Sequence, residues 1–280
     1  TGATLKISEN ATINNLIVES GSTLTIVAGK TLTINPGKQL TITGTATNNG
    51  TIKLLSNGTD GTATLVGNVG GNAEVNQAVT TGRFWYVASP VSSAAFSVLS
   101  GSVYYYNADA SPSAYATTTA ALSPGVGYAV SPSVTNFEFS GTLNNGAQSA
   151  TIAYNGNTAD AFRGYNLIGN PYPSALNWDN VWANETNKAI VGSTIWFNSN
   201  GTFATYNATG TVGSPVTVTS HIPPMQGFWV LATDAASSTT SSNKTLALDN
   251  TMRSHGPATG SNPLRAPQSA TSENQLIRLQ

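Results

Sequence analysis

Chemistry in a protein of this kind would have to come from two histidines, a few dispersed aspartates and a group of aromatic rings. Hydrolysis needs a pair of carboxylates, or a nucleophile with a base beside it. The chain contains two histidines, His221 and His255. His221 precedes Ile222-Pro223-Pro224 and reads as a turn residue, and His255 lies in or beside a linker. Serine is plentiful, but no Gly-x-Ser-x-Gly elbow occurs. Asp160, Asp179, Asp234 and Asp249 stand singly, with neither an Asp-x-Asp-x-Asp calcium loop nor a His-Glu-x-x-His helix. Asp179, within Asn177-Trp178-Asp179-Asn180, could join backbone carbonyls around calcium, but a capping or turn role is the simpler reading. The absence of cysteine excludes disulfides, thiolate zinc sites and cysteine nucleophiles together. The expectation is a protein that is not an enzyme, with no catalytic residues, no metal site and no cofactor.

The rings offer a different chemistry. Tyr104, Tyr105 and Tyr106, with Trp178, Trp182 and Trp196, would suit a sugar, because an aromatic side chain joins an apolar face to a polar edge. The competing role is core, since alternate members of a Tyr-Tyr-Tyr strand must face inward. Tyr105, Trp178, Trp182 and Trp196 are the candidate carbohydrate contacts.

Something must position these rings, and the sequence repeats visibly at its amino-terminal end. Leu16, Leu24, Leu32 and Leu40 are each followed two residues later by Val18, Ile26, Ile34 or Ile42, and Gly21, Gly29 and Gly37 fall between them at one phase. Leu-Thr-Ile places two apolar side chains on one face of a strand and Thr on the other. Glycine at each junction suits a turn with positive φ. Eight residues are too few for a helical crossover, so the strands must stack as a coil or fold back as a meander. Leu5 with Ile7, and Ile52 with Leu54, read as flanking rungs.

From Arg83 the rhythm changes and a longer echo begins. Trp85-Tyr86-Val87-Ala88-Ser89-Pro90-Val91-Ser92-Ser93-Ala94 answers Tyr165-Asn166-Leu167-Ile168-Gly169-Asn170-Pro171-Tyr172-Pro173-Ser174-Ala175, and Val103-Tyr104-Tyr105-Tyr106-Asn107 answers Ile195-Trp196-Phe197-Asn198. Gly125-Val126-Gly127-Tyr128-Ala129-Val130 answers Met225-Gln226-Gly227-Phe228-Trp229-Val230, and Phe137-Glu138-Phe139 answers Leu246-Ala247-Leu248. The predicted class is all-β, a short amino-terminal β-solenoid or β-coil followed by a duplicated β-sandwich region. The expected divisions are 1–75 for the repeat and 76–253 for the duplicated region, with copies over about 76–160 and 161–253. Residues 254–280 would form a linker and a terminal strand. That strand, around Leu276, Ile277 and Leu279, has no partner in the sequence pattern, which makes it a candidate for self-association by strand donation.

Composition limits the partners. Charged residues make up 8% of the chain and the formal net charge is −1, so no basic patch exists to release counterions from nucleic acid. No stretch is apolar for long enough to span a bilayer as a helix. Thr1-Gly2-Ala3 does not resemble a signal peptide, so an exported chain would have lost its signal already. Asn-x-Thr triplets, among them Asn10-Ala11-Thr12 and Asn184-Glu185-Thr186, are the expected by-product of an Asn- and Thr-rich composition.

Gly164-Tyr165-Asn166-Leu167-Ile168-Gly169-Asn170-Pro171-Tyr172-Pro173-Ser174, Pro224-Met225-Gln226-Gly227-Phe228-Trp229-Val230 and Arg83-Phe84-Trp85 resemble stretches of large secreted Bacteroidetes proteins exported by the type IX secretion system. The resemblance covers about residues 74–253 and says nothing of activity. It implies an adhesin-like, multidomain protein located extracellularly or on the outer cell surface. The functional expectation is a non-enzymatic structural or adhesive protein. Its partners would be host, matrix or neighbouring-cell surface components, including glycans. The alternatives are a carbohydrate-binding module of a larger secreted enzyme and the subunit of an extracellular filament.

Overall fold

A computed structural model describes residues 2–199, 202–210, 212–214, 218–233, 239–256 and 276–279. The eight-residue repeat builds a unit of a tight turn followed by a four-residue strand, and three strands complete one coil of a solenoid. The first coil is β1 (Thr4–Ile7), β2 (Ala11–Ile13) and β3 (Asn15–Val18), and the second is β4 (Thr23–Ile26), β5 (Thr31–Ile34) and β6 (Gln39–Ile42). The third is β7 (Thr45–Asn48), β8 (Thr51–Leu54) and β11 (Thr64–Gly67), the last two separated by the small hairpin β9 (Ser56–Asn57) and β10 (Gly61–Thr62). Strands adjacent in sequence lie on different faces. Pairing is parallel and joins successive coils, β1 to β4 to β7, β2 to β5 to β8, and β3 to β6 to β11.

The turns explain the glycines. Ser22 N donates to Glu19 O, Lys30 N to Val27 O and Lys38 N to Asn35 O, and the third residue of each turn is Gly21, Gly29 or Gly37, with φ of 83°, 72° and 69°. A side chain is strained at that position, whereas glycine adopts it freely. Between turns, alternation sends Leu16, Leu24, Leu32, Leu40, Ile52 and their partners two residues on into a dry column. The flanking rungs also join it, with Leu5 opposite Leu24 and Ile52 opposite Leu32.

The solenoid does not end in a free face. β12 (Asn72–Ala78) lies parallel to β8, and its other edge pairs antiparallel with β18 (Asn136–Leu143), which in turn pairs with β14 (Val91–Ser92). A single six-stranded sheet, β14-β18-β12-β8-β5-β2, therefore crosses position 75. One apolar core runs with it, from Ile7 through Val75 to Trp85, Phe137 and Phe139.

Beyond this sheet lie two others of the same strand order. The first is β13 (Trp85–Val87), β17 (Tyr128–Pro132), β15 (Gly101–Asn107) and β16 (Ala114–Thr117), in that spatial order. The second is β20 (Tyr165–Gly169), β26 (Gly227–Leu231), β22 (Thr194–Ser199), β23 (Thr202–Asn207) and β24 (Val212–Ser214). The strands flanking each sheet in sequence also pair, β12 with β18 and β19 (Gln148–Tyr154) with β27 (Ser242–Leu248). The connection from β20 to β22 holds β21 (Ala175–Asn177) and two short helices, α1 (Trp178–Ala183) and α2 (Glu185–Lys188), capped by Asn177 and Asn184. β21 pairs on either side with β25 (His221–Ile222) and β28 (Arg253–Ser254).

Where the two sheets meet, contacts come in matched pairs. Val87 bridges Gln226 and Ile168 bridges Val126. Ala88 N donates to Met225 O at 2.7 Å, and Gly169 N to Gly125 O at 3.0 Å. Gly125 and Met225 both carry positive φ, 77° and 59°. An added Cβ on Gly169 would run into the Ala88 Cβ, the residue at the equivalent position. These reciprocal contacts are those of a local two-fold relation.

Arg253 ties the parts together. It is 7% exposed, and it donates to Leu65 O and Gly67 O of the solenoid, to Asn145 and Asn250, and to the Ser174 hydroxyl, with its guanidinium 4.7 Å from the Tyr172 ring centroid. Burial pushes its pKa down to about 10, opposed by the Tyr172 hydroxyl. His255, expected in or beside a linker, has its two ring nitrogens within 2.9 Å of Thr41 Oγ1 and 2.7 Å of Thr64 Oγ1 on the solenoid. The described chain thus stays packed through His255, and residues 257–275 of the expected linker lie outside the described residues.

The terminal strand corrects an expectation. β29 (Leu276–Leu279) has a partner in its own chain: it runs parallel to β3, with Ile277 opposite Leu16 and Leu279 opposite Val18. Its alternation suits a solenoid rung, and it occupies the edge position ahead of the first coil. The proposed donor of Leu276, Ile277 and Leu279 to a neighbouring copy therefore already has an acceptor in cis.

Candidate binding surface at the junction of the two sheets

Each of the two sheets has one face on a core and one on the junction. On β15, Val103 is buried in the first core and Tyr105 packs against it, so Tyr104 and Tyr106 point the other way. On β22, Ile195 and Phe197 face the second core, which leaves Trp196 on the junction side. Tyr86, Ala129, Leu167 and Trp229 form the buried floor there, and Tyr104, Tyr106, Tyr165 and Trp196 pack around it half-buried.

The rings form a connected row. Phe84 lies 6.3 Å from Tyr104, Tyr104 6.5 Å from Tyr115, Tyr115 5.4 Å from Tyr106, and Tyr106 4.8 Å from Trp229. On the other sheet Tyr165 lies 5.6 Å from Trp196. Most of these pairs meet edge to face, the arrangement that the ring quadrupole favours. Phe84 and Tyr115 are each 45% exposed and Phe203 is 53% exposed, so these rings also reach solvent.

Polar groups among the rings are few and neutral. The Tyr86 and Tyr115 hydroxyls are 3.0 Å apart, and Tyr106 donates to Ser113 Oγ at 2.8 Å. Burial, reinforced by the Tyr86 hydroxyl, holds the Tyr115 phenol well above its ordinary range, and burial likewise raises Tyr106. Trp229 is 8% exposed, and its indole Nε1 is buried without a hydrogen-bond partner. From Phe84 to Tyr128 the sequence contains a single ionisable acid or base other than tyrosine, Asp109. Asp160 anchors the rim, accepting from Ser113 N and Oγ, from Asn155 and from Phe162 N. Burial works against its charge, but these hydrogen bonds outweigh it and depress the carboxyl pKa far below its ordinary value.

The structure separates the four candidate contacts chosen from sequence. Trp178 is a correction: it is 0% exposed and donates from Nε1 to Ser193 O, so it belongs to the second core. Tyr105 is a second correction, since it packs against the first core while its neighbours in sequence take the junction side. Trp182 is half-buried beside α2, with Lys188 Nζ 4.7 Å over its ring, and packs against the second core. Trp196 alone of the four lies on the junction. Sequence reasoning missed Phe84, Tyr115 and Phe203, which fall outside the echoed motifs and are brought alongside only by strand register.

The other singled-out residues take structural positions. Asp179 sits in the first turn of α1, where its carboxylate accepts from the Tyr206 hydroxyl at 2.9 and 3.1 Å. Burial, then Asp179, pushes the Tyr206 pKa up to about 12. His221 opens β25 opposite Asn177. Among the described residues no three His, Asp or Glu side chains gather where they could hold a metal ion. Among them, too, no helix is long and apolar enough to cross a membrane.

Residues 3–279 match the family described as Domain of unknown function (DUF8693). The chain belongs to this family. No curated protein and no solved structure matches it. The match spans the solenoid, both sheets and the terminal strand together, so the DUF8693 unit as described contains the whole of this architecture.

Proposed function

We propose that this chain is a non-enzymatic structural or adhesive module of a bacterial cell surface, located outside the cell. The observation that carries the reading is the six-stranded sheet, with its unbroken core, that runs from the solenoid into the first of the two ring-bearing halves. Such a sheet makes the solenoid a rigid strut that presents the aromatic junction at a fixed orientation. A surface with few charges, wetted by Thr, Ser and Asn, suits an exposed position, as does the resemblance to type IX secretion cargo. The matched strand orders and reciprocal contacts support reading residues 76–253 as a duplicated β-sandwich region.

A second reading is a carbohydrate-binding module of a larger secreted enzyme, favoured by the half-exposed rings at the junction. Antibody labelling of intact and permeabilised cells of the source organism tests the location. Labelling of intact cells is expected, and labelling confined to permeabilised cells would overturn the reading. A reproducible hydrolase activity of the purified chain would overturn its non-enzymatic part.

A further inference from the structure

The two sheets carry exposed rings at the same places. Register makes this explicit. Tyr104 on β15 lies opposite Ala129 on β17, as Trp196 on β22 lies opposite Trp229 on β26. Trp85 lies opposite Val130 and Asn166 opposite Val230, so the residues just before them, Phe84 and Tyr165, correspond. Tyr106 pairs with Tyr115 and Asn198 pairs with Phe203, and these pairs stand two residues beyond Tyr104 and Trp196, so Tyr115 and Phe203 correspond as well. The first sheet thus has the triplet Phe84, Tyr104, Tyr115, and the second has Tyr165, Trp196, Phe203.

Core packing accounts for half of the triplets, since Tyr104, Tyr165 and Trp196 pack on the junction cluster, but not for the exposed Phe84, Tyr115 and Phe203. The inward faces of the same strands hold the core residues, and three of the six rings are largely exposed. Aromatic character at each of three positions in both halves, despite a changed residue at every one, is what a shared contact surface would require. Both triplets flank one floor, since Tyr104, Tyr165 and Trp196 all pack on the cluster of Tyr86, Leu167 and Trp229.

We propose that the two triplets are equivalent stacking subsites for one chain of a neutral polysaccharide lying across the junction. The rings supply flat apolar faces for pyranose C–H groups, and the tyrosine hydroxyls supply donors and acceptors for sugar hydroxyls. A neutral ligand is the better match for a chain of which 8% is charged, and Arg83, whose guanidinium lies 4.2 Å over the Trp85 ring beside Phe84, is the cation that an acidic glycan would meet. Two subsites on one rigid support raise the affinity for a long chain over that for a short oligosaccharide, through effective concentration. The proposal rests on the adhesive reading and names the partner class of its contact surface.

The test is retention of the full chain in native gels cast with neutral polysaccharides, namely xylan, mannan, β-glucan, soluble starch, dextran and hydroxyethylcellulose, with alginate as the acidic comparison. Retention by at least one neutral polymer is expected, with affinity falling at least about tenfold in Tyr104→Ala and in Trp196→Ala and no retention left in the double variant. Melting temperatures measured in parallel separate loss of binding from loss of fold, and Trp196→Phe should restore part of the retention. No retention by any neutral polymer would overturn the proposal. So would retention that both alanine variants leave intact, or retention that depends on one triplet alone. Adhesion of the chain to cell or matrix surfaces with a blank gel panel would overturn this proposal and leave the adhesive reading standing. Absence of both would overturn the two together.

Discussion

Replacing Arg253 with Met should destabilise the protein more than any other single change at a charged residue. The guanidinium donates to five acceptors, two of them backbone carbonyls of the solenoid, and no carboxylate lies among them. Its charge is costly where it sits. The depression of its pKa from 12.5 to about 10 corresponds to roughly 3 kcal/mol of desolvation, an order-of-magnitude figure for a group this buried. Methionine removes that cost and keeps much of the stem's volume over Tyr172, but it leaves the five acceptors facing an apolar side chain. Hydrogen bonds to a charged group contribute about 1.5–3 kcal/mol each, and stranded buried acceptors cost about 1–3 kcal/mol each. Five acceptors at the low end of that range cost about 5 kcal/mol, so with the desolvation returned a net loss of at least about 2 kcal/mol remains. For a chain of this size that is a fall in melting temperature of at least about 4 °C. Scanning calorimetry of wild type, Arg253→Met and Arg253→Lys measures it, with the Lys variant at least as unstable because it keeps a buried charge with fewer donors. A melting temperature for Arg253→Met within about 2 °C of wild type would refute the view that this side chain staples the solenoid to the second half.

Three further outcomes follow from other contacts. Asp160→Asn should flatten the acid limb of the stability curve. Because the folded carboxyl titrates below its unfolded value of about 3.9, its contribution is present above that pH and is lost as pH falls towards the folded value. Equal slopes of melting temperature against pH for wild type and variant below about pH 4 would contradict this. Gly169→Ala forces a Cβ against Ala88 at the centre of the reciprocal contacts and should cost about 1–3 kcal/mol by chemical denaturation, with no change expected if the halves can separate freely. Deleting residues 274–280 uncovers the β3 edge and should lower stability and promote aggregation, while the full chain sediments as a monomer. Polymers of the full chain that vanish on deletion would instead show that the strand is exchanged between copies.

The solenoid was legible because its chemistry is local. Gly21, Gly29 and Gly37 mark turns, and Leu-Thr-Ile marks a strand with one dry face, all within eight residues. That three units close a coil was not legible, since the same alternation would serve a meander. Closure depends on contacts 19 to 25 residues apart, as in Thr4 with Thr23 and Gln39 with Thr64. The choice of Tyr105 over Tyr104 failed for an instructive reason. Val103 is the apolar residue of that strand and must face inward, so the residue two positions on shares its face, a signal available in the sequence. Trp178 gave no such signal, because its burial is set by α1 folding back onto the second sheet. Arg253 reads in sequence as an isolated charge, and nothing local announces that carbonyls almost 190 residues earlier in the chain converge on it. The ring triplets became visible through register, which places Tyr115 and Phe203 at equivalent positions although no motif surrounds either.

The central claim, a rigid strut that presents an aromatic contact surface, is tested most directly by adhesion under flow. Beads carrying the full chain would be passed over cells and extracellular matrix of the source organism, beside beads carrying the Tyr104→Ala/Trp196→Ala variant at matched density and confirmed fold. Retention of the wild-type beads and release of the variant beads is the predicted result. Equal retention of the two, or retention of neither, would contradict it.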